Sequence, residues 1–98
     1  MKKQYFAIKL LASRPDFMQT MTDAEREVMG VHQAYWRNLM AQGIAVVFGP
    51  VLEAVPYGLG IVGVTDEAQL QEVVAGDPAN AIMTIEFAPM MAVTRSES

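Results

Sequence analysis

Two helix-start signals, each answered downstream by a glycine, partition this 98-residue chain and leave four short apolar runs around them. Thr22-Asp23-Ala24-Glu25 sets a hydroxyl at a helix N-cap and a carboxylate three residues on, the spacing of a capping box. Met21, just before it, is placed to act as a hydrophobic staple. A long helix is expected from there to about Gln42, with Gly43 as its left-handed stop. Asp66-Glu67-Ala68-Gln69 repeats the spacing and opens a shorter helix to about Ala75, with Gly76 as its stop.

The runs between these helices read as strands. Gln4 to Leu11 alternates, with Phe6, Ile8 and Leu10 on one face and Tyr5, Ala7 and Lys9 on the other. Ser13-Arg14-Pro15-Asp16 breaks it, and Phe17 to Met21 is expected to be a loop of unusual bulk. Ile44 to Phe48 is an unbroken apolar run that Gly49-Pro50 should end, and Glu53 to Pro56 reads as a loop. Tyr57 to Val64 is a glycine-rich third strand. Met83 to Val93 is a fourth, whose Pro89 confines it to an edge or a bulge, and Arg95 to Ser98 is expected to fray. The order β-α-β-β-α-β is the split pattern of ferredoxin-like α+β domains with a four-stranded antiparallel sheet. Residues 1–98 leave no room for a second core, so one domain is expected.

Such a sheet carries both helices on one face. Ile44 to Phe48 and Leu59 to Val64 lack the polar alternation of a wetted second face, and 52% of the chain is hydrophobic. The second face is therefore expected to meet a second copy, giving a homodimer. A net charge of −4 with scattered Lys and Arg argues against nucleic acid as a partner. No apolar stretch reaches membrane-spanning length, and Lys9 interrupts the run after Met-Lys-Lys, so a cytoplasmic protein without membrane association is expected. The absence of cysteine excludes disulfides, thiolate nucleophiles and thiolate-bound zinc. With one histidine, a metal would need carboxylates alone beside it, so neither a metal nor another cofactor is expected. The eight methionines read as adaptable packing.

Chemistry concentrates on that histidine. On a helical wheel Val31, Tyr35, Val28, Leu39, His32, Trp36, Met29 and Met40 form one arc, with His32 near its middle. A buried imidazole needs a partner, because an unpaired buried polar group costs about 1–3 kcal/mol. A backbone carbonyl would make it a structural residue. A carboxylate would make it an acid–base group, since burial lowers an imidazole pKa and a nearby carboxylate raises it. Asp77, in Gly76-Asp77-Pro78, reads first as a turn builder, and only second as that carboxylate. Gly58 and Gly60 share one strand face and invite close packing, while Glu86 is either a second acid or an exposed edge residue.

Five segments then fall into a familiar order: His32-Gln33-Ala34-Tyr35-Trp36, Gly43, Val47-Phe48-Gly49-Pro50-Val51, Tyr57-Gly58-Leu59-Gly60 and Gly76-Asp77-Pro78. Together they span almost the whole chain, which resembles the YciI-like (YCII-related) proteins of the dimeric α–β barrel superfamily. The resemblance implies two ferredoxin-like protomers with facing sheets, and a site built on His32 and Asp77 without a cofactor. Most members of that family have no assigned reaction, and the dyad itself fits metal-free acid–base chemistry on a small cyclic or aromatic compound, by elimination, isomerisation or hydrolysis. Tyr35, Trp36 and Phe48 would then form apolar walls, and the backbone at Gly49 and Pro50 would orient the ligand. A dimeric binding domain without catalysis is the alternative. The chain departs from the pattern in a longer Ser13 to Met21 segment and in Ala79, where an aromatic residue is common.

Overall fold

The structure, a computed structural model, describes residues 2–95. Strands β1 (Gln4–Ala12), β2 (Ala45–Val51), β3 (Tyr57–Val64) and β4 (Met83–Met90) form one antiparallel sheet in the order β2-β3-β1-β4. Helices α1 (Phe17–Thr20), α2 (Asp23–Ala41) and α3 (Glu67–Gly76) and a 3-10 turn, Pro78–Ala81, connect the strands.

The alternation of β1 decides where the core sits. Phe6, Ile8 and Leu10 stand opposite Val62, Gly60 and Gly58 of β3, and opposite Pro89, Phe87 and Ile85 of β4. Phe6, Ile8, Leu10, Val62 and Val64 are buried there against Trp36 and Leu39 of α2 and Leu70 and Val73 of α3. Gly60 is required by this packing, because a Cβ would overlap the Trp36 ring, and one at Gly58 would press on Leu10.

Helix α2 starts and stops as its sequence dictates. Thr22 Oγ1 accepts from the Glu25 amide at 3.1 Å, and Glu25 Oε1 accepts from the Thr22 amide at 2.9 Å. At the other end Gly43 adopts φ 78°, its N–H donates to Met40 O, and the Ile44 N–H donates to Leu39 O. These two bonds make a Schellman motif. Asp66 caps α3 by accepting from the Gln69 amide at 2.9 Å.

Several expectations are corrected. Gly76 is the last residue of α3 and has no positive φ; it is a glycine because a Cβ would stand 2.7 Å from Tyr35 Oη. Phe17 to Met21 is not simply loop, since α1 occupies most of it. Gly49-Pro50 does not end β2, which continues to Val51 with Pro50 opposite Gly58. An edge strand tolerates proline because a missing N–H can face away from the ladder. On the other edge, β4 ends at Met90, short of Val93. Of the expected tail, 96–98 lie outside the described residues.

The apolar arc of α2 is narrower than its wheel. Trp36 and Leu39 are buried and His32 is partly buried, but Val31 and Met40, at the two margins of the arc, are 54% and 41% exposed. A helix lying on a sheet buries a stripe roughly 100° wide, so the margins of a wider arc stay outside.

The face turned away from the helices carries Ala7, Lys9, Leu59, Ile61 and Val47, the last 54% exposed. Lys9 Nζ lies 4.6 Å over the Tyr57 ring, and exposed Glu86 stands opposite Lys9 in the register. Glu86 is thus an edge residue and takes no part in the site. No helix among the described residues is long and apolar enough to cross a membrane.

Candidate functional site

His32 sits one turn before Trp36 on the buried side of α2, and both reach the 3-10 turn that follows α3. His32 Nδ1 and Asp77 Oδ1 are 2.8 Å apart. Trp36 Nε1 donates to Asp77 Oδ2 at 2.8 Å, and the Ala79 amide donates to Oδ1 at 2.9 Å. Asp77 is 3% exposed. Burial by itself raises its carboxyl pKa, but the hydrogen bonds from His32, Trp36 and Ala79, with the attraction of His32, outweigh burial and hold it below the usual carboxylate range. An ionised carboxylate only accepts, so the Nδ1 of His32 must carry the proton it shares. The other ring nitrogen, Nε2, has no protein partner among the described residues, and it is not a buried unpaired atom.

His32 lines a cleft of about 230 Å³ between α2 and one end of the sheet. Trp36, Phe48, Gly49 and Pro50 line it too, as do Leu10 and Met83. The Trp36 and Phe48 rings lie 5.9 Å apart. Phe17 and Met18 of α1 line it with Met21, and so do Pro56 and Tyr57, where the β2–β3 connection enters β3.

The α1 wall is fixed by Arg14. Its guanidinium meets Glu25 in a fork, at 2.8 and 3.0 Å, and donates to Thr20 Oγ1 at 2.9 Å and Thr20 O at 2.8 Å. It also lies 5.1 Å over the Phe17 ring. The hydrogen bond from Arg14, with the Thr22 amide, holds the Glu25 carboxyl at about 2, and Glu25 in turn raises Arg14. One carboxylate therefore caps α2 and anchors α1.

No family model matches the chain, and no curated protein matches it. Among solved structures, a de novo designed protein with a ferredoxin fold, determined by solution NMR, superposes with a TM-score of 0.51 at 16% identity. The match covers 100% of this chain and 93% of the design. The fold is ferredoxin-like. At that identity the likeness concerns the backbone arrangement alone.

Within this ferredoxin-like frame the residues singled out from sequence separate into groups. His32 and Asp77 are brought into contact, with Asp77 behind the imidazole and off the cleft wall. Trp36, Phe48, Gly49 and Pro50 reach the wall as expected. Tyr35 does not. Its hydroxyl donates to Val73 O at 2.8 Å beside Gly76, because its place on the α2 arc faces α3 rather than the cleft. Burial and the nearby Asp77 charge push its phenol pKa up. Sequence reasoning missed Arg14, Phe17 and Met18. The excess bulk of the 17–21 segment is the only signal for Phe17 and Met18, and Arg14 shows only as part of the break after β1.

Proposed function

We propose that this chain is a YciI-like, cytoplasmic, homodimeric acid–base enzyme acting on a small cyclic or aromatic compound by elimination, isomerisation or hydrolysis. The observation that carries this reading is the 2.8 Å pair between His32 Nδ1 and Asp77 Oδ1 at a cleft wall. With Nδ1 donating to an ionised carboxylate, Nε2 is left as the base. When Nε2 takes a proton from the ligand, Asp77 stabilises the imidazolium and keeps the ring from turning. Trp36 and Phe48 supply an apolar wall, and the backbone at Gly49 and Pro50 borders the same space. The protomers would meet through the sheet face bearing Val47, Leu59 and Ile61, a surface too apolar to be left to water.

A second reading, a dimeric binding domain without catalysis, is favoured by one feature. Asp77 also bonds Trp36 and the Ala79 amide, so it ties α2 to the turn after α3 whether or not chemistry occurs.

Deuterium exchange separates the two. Cyclic ketones and lactones with acidic α C–H groups, incubated in D2O with the protein, should gain deuterium, and His32→Gln should slow that gain by about 100-fold or more. Absence of both deuterium gain and lactone hydrolysis, or rates unchanged in His32→Gln, favours the binding domain.

A further inference from the structure

The cleft carries one fixed charge, and that charge is already answered. Among the described residues Arg14 is the only Lys or Arg on its wall, and no Asp or Glu lines it. Four hydrogen bonds to Glu25 and Thr20 leave at most one guanidinium N–H for anything else. Behind His32 stands the carboxylate of Asp77. An anionic ligand would thus lose its hydration, meet a neutralised arginine and face a buried negative charge. We infer that the cleft selects an uncharged compound of single-ring size and rejects its carboxylate counterpart, with the Arg14–Glu25 fork setting that preference.

This rests on the cleft being the ligand site, and it adds the charge and size of the ligand to the function proposed above. Size follows from volume. An apolar cavity of about 150 Å³ holds benzene, so about 230 Å³ has room for a ring with one substituent. The low pKa of Glu25 keeps the fork ionised throughout the physiological range.

The probes are benzamide and benzoate, which share a shape and differ in charge. Dissociation constants come from the indole N–H resonance of Trp36, the sole tryptophan, at pH 7.5. The wild-type protein should bind benzamide at least tenfold more tightly than benzoate. Glu25→Gln keeps a residue able to complete the capping box but frees the guanidinium charge, and should move the ratio toward benzoate by tenfold or more. Adding Arg14→Met to Glu25→Gln should restore the preference for benzamide.

Equal wild-type affinities, a ratio unmoved by Glu25→Gln, or no binding of either compound overturns the inference. The wild-type ratio alone can do so, whatever the folding of the variants. The benzamide-to-benzoate ratio of the wild type and the deuterium gain lost in His32→Gln are separate readouts, so a failed acid–base reading and a failed charge preference are told apart.

Discussion

Trp36 and Asp77 are joined by a 2.8 Å hydrogen bond from the indole Nε1 to Oδ2, the carboxylate oxygen that His32 does not use. Each oxygen of the buried carboxylate thus faces one ring of α2, and the carboxylate plane cannot turn without breaking a bond. A core residue thereby sets the geometry of the candidate site.

Trp36→Phe keeps an aromatic ring but removes this donor. A hydrogen bond to a buried charged group contributes about 1.5–3 kcal/mol, and urea denaturation should show a loss of that order. A loss below about 0.5 kcal/mol would mean that Oδ2 is satisfied in another way.

Two glycines should respond oppositely to the same change. Gly60→Ala drives a methyl into the Trp36 ring and should destabilise by about 1–3 kcal/mol, the usual consequence of overpacking a core. At Gly49 a Cβ meets nothing within 4 Å, so Gly49→Ala should alter stability by less than about 0.5 kcal/mol. Thermal denaturation of the two variants makes the comparison; similar losses would contradict the packing described.

Acid should expose Asp77. Its carboxyl pKa is lower in the folded than in the unfolded chain, so its stabilisation is complete above about pH 4, the ordinary carboxyl value, and is lost as pH falls through the folded value. Glu25 contributes in the same direction and is held at about 2. Urea unfolding between pH 6 and 2.5 should therefore fall more steeply for the wild type than for Asp77→Asn. Parallel curves would show that Asp77 gains nothing from its partners.

How far these features were legible in the sequence depends on the range of each signal. The capping box at Thr22 and Glu25 and the stop at Gly43 are local, and both stand as read. The strand alternation that buries Phe6, Ile8 and Leu10 is local too, and it orders the sheet. The wheel put His32 and Trp36 on the buried side of α2, but it could not say which neighbour each position meets, so Tyr35 was assigned to the cleft although it faces α3. Helix α1 is four residues long, too short for any periodicity. The Arg14–Glu25 fork spans eleven residues across a break, where no spacing rule applies. Glu25 was visible only as a cap.

Charge on the open sheet face should test the proposed dimer. Val47 is 54% exposed and belongs to that face. Sedimentation equilibrium should give twice the chain mass for the wild type and the single-chain mass for Val47→Lys. A wild-type monomer would leave the apolar face without its proposed partner.

The most direct test of the His32–Asp77 pair is the tautomer of the imidazole, and the chain has one histidine to observe. Long-range 1H–15N correlation spectra of the histidine-labelled protein, taken in alkaline buffer, should show the proton on Nδ1 and a bare Nε2. Asp77→Asn should mix or reverse that assignment. A wild-type ring protonated on Nε2 would contradict the account, since the nitrogen meant to act as base would already be occupied.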